Sequence, residues 1–181
     1  MYSTALVTMR DAIREARPLQ DIERIGEIVR ERGILFHTDA VQSVGKIPID
    51  VKSLPVDLLS LSAHKLYGPK GVGALFIRRG TCPLFSLACG GGQEKKRRGG
   101  TENVAGVVGF GKACQLAMER LNCGEAGRIQ EMRDWLWGRI QQSIPGAELF
   151  GDPNNRLPNT LGCGFEGVGG ETLLIALDME G

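Results

Sequence analysis

Residues 56–80 read VDLLSLSAHKLYGPKGVGALFIRRG, and this stretch decides the predicted fold class. Its first seven residues, VDLLSLS, form an almost continuous apolar run, which is typical of a strand covered on both faces. Residues 72–78, VGALFIR, predict a further strand. The segment between them is rich in glycine and polar side chains, so a short polar turn follows the end of a buried strand.

The sequence on the N-terminal side alternates strands with a helix. Residues 5–9 (ALVTM) and 34–38 (ILFHT) predict strands, and residues 18–32 predict an amphipathic helix that ends at Gly33. The apolar positions of this helix recur at helical spacing: Ile22, Ile25, Ile28 and Val29. Strand, helix and strand joined by short connections predict an α/β fold with a mainly parallel, helix-covered sheet.

The sequence on the C-terminal side has a different pattern, in which a polar loop is followed by a long helical region. Residues 90–100 (GGGQEKKRRGG) lack hydrophobic periodicity and predict an exposed, mobile loop. Residues 101–144 predict helical structure with a break near residues 122–127. Residues 157–167 predict a strand between turns, and residues 171–178 predict a further helix. The chain stops in or just after that helix, so we expect it to be a piece of a longer protein.

The composition excludes several classes of protein. The chain has 181 residues, 42% of them hydrophobic, and a formal net charge of +1. This apolar content is too high for intrinsic disorder, and the net charge produces no global field for nucleic acid or anionic membranes. With no apolar run near the ~18 residues that span a bilayer, we expect a soluble, cytoplasmic protein. Five widely spaced cysteines and two histidines predict reduced thiols and no metal site.

Polar side chains follow two of the predicted strands. HTDAVQ (37–42) begins at the end of one strand, and SAHKLYGPKG (62–71) follows the next. Open α/β sheets bind ligands outside the carboxyl ends of their strands. There Lys65, with His64 beside it, could serve as an imine-forming nucleophile, and Asp39 could hold a protonated ring nitrogen. The alternative from the residues alone is a solvated lysine among ordinary turn residues, with Asp39 capping a helix.

These motifs match a known family. The stretch from residue 37 to residue 80 resembles the cysteine desulfurases of the NifS/IscS kind, within the class V pyridoxal-phosphate (PLP) aminotransferase superfamily. GGGQEKKRRGGTENVAGVVGFGKA (90–113) and LPNTLGCGFEGVGGETLLIALD (157–178) continue the match. The resemblance covers about 150 of the 181 residues. Selenocysteine lyases share much of this pattern and remain an alternative within the enzyme class.

The resemblance implies a role for each matching residue. Lys65 would form the imine link with PLP and later move protons as a base. Asp39 would pair with the pyridinium nitrogen, which makes the Cα–H bond of the substrate labile. Gln42 would bind the phenolic oxygen of the cofactor, and Ser62 and His64 would contact its phosphate.

The resemblance also implies an assembly and a fold. Thr101 would reach the phosphate held by a partner subunit, which implies a homodimer. The expected fold is that of the aspartate aminotransferase-like PLP-transferases of fold type I. Residues 1–105 would form part of the PLP-binding large domain. Residues 106–181 would form connecting helices and the start of a small α+β domain. The implied activity converts L-cysteine to L-alanine and passes the sulfur, as a persulfide, to acceptor or scaffold proteins that build iron–sulfur clusters or thiolated cofactors.

The sequence departs from the family in three places that bear on activity. The resemblance implies an upstream helix and strand, with a phosphate-binding turn and a histidine that stacks on the PLP ring, which have no counterpart in these 181 residues. Residues 10–17 (RDAIREAR) are charged and predict a helix where the family carries an asparagine-containing stretch near the cofactor. None of the five cysteines matches the nucleophilic cysteine, and Cys163 is expected to be a small core residue. We therefore expect this chain to be inactive by itself, with a non-catalytic PLP-binding or dimerising remnant as the alternative.

The basic run at residues 95–98 (KKRR) resembles a nucleic-acid-binding patch. No aromatic residues are interleaved with it for base stacking, and four charges in a glycine-rich loop are usually solvated. We expect no nucleic-acid partner and no membrane partner.

Overall fold

Four strands form a sheet in the order β1-β2-β3-β4: Leu6–Arg10, Leu35–Asp39, Leu58–Ser62 and Gly73–Ile77. The computed structural model describes residues 6–12, 19–81 and 84–181. Strands β1, β2 and β3 are parallel, and β4 runs antiparallel to β3. The prediction of a mainly parallel sheet is confirmed. Arg10 lies in β1 rather than in the predicted helix, because its backbone pairs with Asp39 of β2; the rest of that predicted helix from residue 13 onward lies outside the described residues.

The helix α1 (Ile22–Glu31) covers one face of this sheet. It begins later than the predicted residue 18, because the side chain of Asp21 accepts a hydrogen bond from the backbone N–H of Arg24 at 2.9 Å and caps it. Residue 18 itself lies outside the described residues. The apolar cluster between helix and sheet contains Ile22, Val29, Phe36 and Val56.

The predicted loop at residues 90–100 contains one short helical segment, α2 (Gln93–Lys96). Glu94, Lys95 and Lys96 have φ values of 49°, 58° and 65°, which lie in the left-handed region that L residues seldom adopt. The loop is exposed, as predicted, and it has a defined, strained backbone.

Two long helices, α3 (Val104–Asn122) and α4 (Glu125–Ser143), follow. The break between them is at Cys123 and Gly124, inside the predicted interval of residues 122–127. Gly124 has a φ of 78°, which allows the sharp turn between the helices.

The C-terminal part contains a two-stranded antiparallel sheet, β5 (Ala147–Leu149) and β6 (Cys163–Phe165), and then α5 (Gly170–Glu180). The strand predicted at residues 157–167 is therefore much shorter, and β5 was not predicted. Leu157 is fully buried outside any strand, where its carbonyl accepts a hydrogen bond from Nη1 of Arg133 at 2.9 Å.

No helix among the described residues is long and apolar enough to cross a membrane. The described residues also contain no cluster of three or more His, Cys, Asp or Glu side chains that could hold a metal ion. The division of the chain at residue 105 stays a prediction.

Candidate active site

The turn that carries Lys65 is a 3₁₀ segment, Ala63–Leu66, directly after β3. Ala63 is fully buried; its N–H donates to the carbonyl of Val72 at 3.0 Å, and its carbonyl accepts from the N–H of Gly68 at 2.9 Å. Tyr67 ends the segment in the left-handed conformation, with a φ of 63°. The turn is therefore closed on itself by hydrogen bonds, and the position of Lys65 is fixed by the backbone.

Helix α3 packs closely against this turn because its facing residues are small. A Cβ atom added to Gly106 would lie 2.5 Å from Cγ2 of Val72, and one added to Gly109 would lie 2.8 Å from Cγ of Pro69. Further along the helix, Ala113 and Ala117 belong to the buried cluster that also contains Leu66. The spacing of small residues along α3 thus places the helix against the segment after β3.

Asp39 ends β2, and both of its carboxylate oxygens have partners. Oδ1 accepts a hydrogen bond from the N–H of Val41 at 3.1 Å, which closes a local turn. No helix lies among the described residues between β2 and β3, so the alternative in which Asp39 caps a helix is wrong. Oδ2 lies 3.6 Å from Nε of Arg10. With Ser60 and the end of β1, Asp39 lines an open recess at the carboxyl ends of the parallel strands. This is the edge at which the sequence predicted a ligand site.

A hydrogen-bonded row crosses three strands on the same face as Asp39. The hydroxyl of Thr8 lies 2.6 Å from Nδ1 of His37, and Nε2 of His37 lies 2.8 Å from the hydroxyl of Ser60. Burial lowers the pKa of His37, although the charge of Asp39 opposes the change. His37 is thus a half-buried strand residue that links neighbouring strands.

The predicted anion-binding pair is formed within the chain. The hydroxyl of Ser62 lies 2.8 Å from Nδ1 of His64, and the imidazole is exposed at the start of the Lys65 turn. Gln42 lies half-buried in the turn after β2. Thr101 is exposed two residues before Asn103, whose side chain accepts from the N–H of Gly106 at 3.0 Å and caps α3.

Lys65 and Asp39 line different depressions in the surface. Lys65 lies in a small cavity with Lys46, Tyr67, Arg120 and Glu125. The guanidinium carbon of Arg120 is 5.3 Å from the centre of the Tyr67 ring, and its Nε is 3.7 Å from the Glu125 carboxylate. The structure therefore brings Ser62, His64 and Lys65 together on one turn and Asp39 to the neighbouring strand end, without joining them in a single pocket.

The described cysteines, Cys89, Cys114, Cys123 and Cys163, are free thiols. Burial raises the pKa of the Cys114 and Cys163 thiols, which lowers their thiolate content near neutral pH. Cys163 was predicted to be a small core residue; it is half-buried in β6 and belongs to neither buried apolar cluster of the described residues.

The comparisons with known proteins identify the family. The Aminotransferase class-V family matches residues 4–181. The chain belongs to the class-V aminotransferases. It is 47% identical to the cysteine desulfurase IscS of Dictyoglomus turgidum over 178 residues, and 48% identical to that of Clostridium botulinum over 180. The match includes 98% of this chain and 45% of each relative, so the chain spans about half the length of the curated relatives.

The fold is shared with solved structures of the same kind. A NifS-like protein superposes with a TM-score of 0.92 at 39% identity, over 98% of this chain and 48% of that one. The structure of SspA in complex with cysteine superposes with a TM-score of 0.71 at 32% identity, over 97% of this chain and 47% of that one. The predicted PLP-transferase fold and the resemblance to cysteine desulfurases are confirmed.

Class-V aminotransferases and cysteine desulfurases depend on PLP. The donor set of this chain fits that cofactor chemically. The carboxylate of Asp39 suits a protonated ring nitrogen, the hydroxyl and imidazole of Ser62 and His64 suit a phosphate, and the amine of Lys65 suits an aldehyde. The chain therefore carries residue types that suit PLP at the ends of two neighbouring strands.

Two contacts at this edge were not predicted from the sequence. Arg10 pairs with Asp39, and Asp11 accepts a hydrogen bond from the hydroxyl of the buried Ser43 in the turn that follows β2. Both residues belong to the charged segment that departs from the family. The charged residues of this segment could have indicated contacts with neighbouring polar groups. Because the segment was predicted to be a helix, its pairing with β2 was not expected.

Proposed function

We propose that this chain is the cofactor-binding part of a PLP-dependent cysteine desulfurase. The observation that carries the proposal is the turn after β3, which holds the Ser62–His64 pair and Lys65 beside the strand end that bears Asp39. The names of relatives 46–48% identical to the chain support the same reaction. When bound, PLP withdraws electrons from the substrate and makes its Cα–H bond labile.

Each residue of the proposed site would have a role that follows from the chemistry of its side chain. Lys65 provides an amine for covalent attachment of the aldehyde and a base for the Cα proton. Ser62 and His64 provide donors for the phosphate, and Gln42 provides an amide for the phenolic oxygen. Asp39 would supply a negative charge for the ring nitrogen. For this the Arg10 side chain, whose Nε lies 3.6 Å from Oδ2 of Asp39, must share or release the carboxylate.

The substrate we propose is L-cysteine, and the structural relative SspA, solved in complex with cysteine, supports this choice. The products would be L-alanine and sulfur carried as a persulfide to an acceptor protein. We propose a homodimer in which the exposed Thr101 serves the partner's cofactor. The sulfur acceptors and the cytoplasmic location stay predictions.

The cofactor site is tested with PLP, sodium borohydride and peptide mass mapping. We expect a visible absorbance band on addition of PLP, and reduced cofactor on Lys65 after borohydride treatment. Lys65→Ala should abolish both, whereas Lys70→Ala, which removes an exposed lysine of the same loop, should change neither. Label spread equally over surface lysines would contradict the proposed site.

The activity is tested separately, on the longest form of the protein that contains this chain. L-Cysteine should yield alanine in a PLP-dependent reaction that Lys65→Ala abolishes. A preference for L-selenocysteine, with no turnover of L-cysteine, would overturn the proposed substrate while leaving the cofactor site intact.

A further inference from the structure

A second cavity lies between the sheet and α1, on the face opposite to Asp39 and His37. Its volume is about 360 Å³, and its walls include the apolar side chains of Ile22 and Leu59. Side chains alternate between the faces of a strand, so Thr38 points toward this cavity while its neighbours His37 and Asp39 point away. The cavity is therefore separate from the candidate active site.

Two buried oxygen atoms belong to side chains that line this cavity. Asp11 is 6% exposed and Thr38 is 1% exposed. The Oδ2 atom of Asp11 accepts a hydrogen bond from the hydroxyl of Ser43. Within the described residues, neither Oδ1 of Asp11 nor Oγ1 of Thr38 has a partner in hydrogen-bond geometry. Buried polar atoms in folded proteins nearly always have partners, so these two oxygens, unpartnered among the described residues, favour a ligand that brings a hydrogen-bond donor into the cavity.

The charges of the residues that line the cavity indicate which kind of hydrogen-bond donor it would bind. Three acidic residues line the cavity: the buried Asp11, the exposed Glu23, and the exposed Asp21, whose Oδ1 caps α1. The described lining residues include no lysine, arginine or histidine. A cation is therefore favoured, and the apolar walls favour one with a hydrocarbon portion. An ammonium group provides three N–H donors, enough for the carboxylate of Asp11 and the hydroxyl of Thr38 together.

We propose that this cavity is a binding site for a small primary alkylammonium ion, whose charged group contacts Asp11 and Thr38 and whose hydrocarbon chain packs against Ile22 and Leu59.

The protonation of Asp11 controls this site. Burial raises the pKa of Asp11 to about 6, and the negative charge of Asp39 adds to the increase. The Ser43 hydroxyl and the nearby backbone N–H groups of Ala12 and Asp11 oppose it. The carboxylate is mostly ionised above this pKa and mostly protonated below it. Since Asp21 and Glu23 also face the cavity, some attraction for a cation remains after Asp11 is protonated.

The proposal is tested by titrating the protein with n-butylammonium chloride, monitored by the amide NMR signals of residues around the cavity. We expect saturable shifts at Thr38 and Leu59. n-Butanol, which has the same hydrocarbon chain without the charge, should bind at least about tenfold more weakly. Binding should also weaken severalfold between about pH 7 and about pH 5 as Asp11 becomes protonated.

Three variants identify the residues responsible. Asp11→Asn should weaken n-butylammonium binding about tenfold or more, and Thr38→Val, which removes the hydroxyl while keeping the shape, should weaken it severalfold. Glu27→Gln removes the same charge from an exposed position of α1 outside the cavity and should leave binding unchanged. The NMR spectrum of each variant reports whether it is folded.

Several results would overturn the proposal. These are an absence of saturable shifts, equal binding of butanol and butylammonium, or unchanged binding by both the Asp11→Asn and Thr38→Val variants. Because PLP attachment to Lys65 is measured independently, failure of this site leaves the proposed desulfurase function standing, and failure of the Lys65 experiment leaves this site standing.

Discussion

The contact between α3 and the Lys65-bearing loop can be tested with a matched pair of glycine substitutions. Gly109 and Gly111 lie two residues apart in the same helix. A Cβ atom at Gly109 would lie 2.8 Å from Cγ and 3.2 Å from Cδ of Pro69. Among the described residues, a Cβ atom at Gly111 would have nothing within 4 Å apart from its chain neighbours and the backbone of its own helix. The two positions share their helical backbone and differ in whether the loop is close.

The expected free energies follow from two opposing effects. Alanine is favoured over glycine in a helix interior by about 1 kcal/mol, and both substitutions gain this. Gly109→Ala also forces a methyl group into the Pro69 ring, which cannot rotate away, and overpacking of this kind costs about 1–3 kcal/mol. Gly111→Ala should therefore raise the free energy of unfolding by about 1 kcal/mol, and Gly109→Ala should leave it unchanged or lower it by up to about 2 kcal/mol.

The assay is equilibrium unfolding in urea, followed by circular dichroism, with wild-type protein in parallel. The informative quantity is the difference between the two variants, since the helix propensity cancels. A difference of about 1–3 kcal/mol at constant m-value is the expected result. Equal stabilisation by both substitutions would refute the close packing of α3 on the Pro69 loop, and with it the inference that small residues on α3 fix the position of Lys65.

Three further predictions concern strained or buried groups. Lys96→Gly relieves a left-handed φ of 65° and should raise the free energy of unfolding by about 1 kcal/mol. Lys112→Gly, in the interior of α3, should lower it by about 1 kcal/mol. A lower free energy of unfolding for both variants would argue against the strained turn. The pKa of Asp11 is raised from 3.8 to about 6, so the folded state binds more protons than the unfolded state and its stability falls as pH rises through this window. In urea unfolding, the free energy of unfolding of Asp11→Asn relative to wild type should therefore rise by up to about 3 kcal/mol between about pH 4 and about pH 7. A difference between the two proteins that stays constant with pH would contradict the raised pKa. Ser43→Ala removes the donor to the Asp11 carboxylate and should cost about 1–3 kcal/mol at neutral pH but less when Asp11 is protonated; an equal cost at both pH values would show that the hydroxyl does not stabilise the charge.

The amino-acid sequence by itself determined the class of fold and the residue types of the candidate site. The alternation of apolar runs with an amphipathic helix predicted a mainly parallel sheet, because each pattern has the period of its element. SAHKLYGPKG was placed correctly after a strand because glycine, proline and polar residues interrupt the apolar run. Both are local features of the sequence, and the structure contains the strands, the helix and the turn that they predict.

Contacts between distant segments were decided by the tertiary structure alone. Residues 10–12 have helical composition, yet pairing with β2 holds Arg10 in a strand and places it 3.6 Å from Asp39. Ser43 meets Asp11 across 32 positions of sequence, and no local pattern encodes that contact. The cavity beside Asp11 and Thr38 likewise depends on how α1 sits on the sheet. Periodicity specifies which face of an element is buried. The packing of the elements decides which other element covers that face and which buried polar groups lack a partner among the described residues.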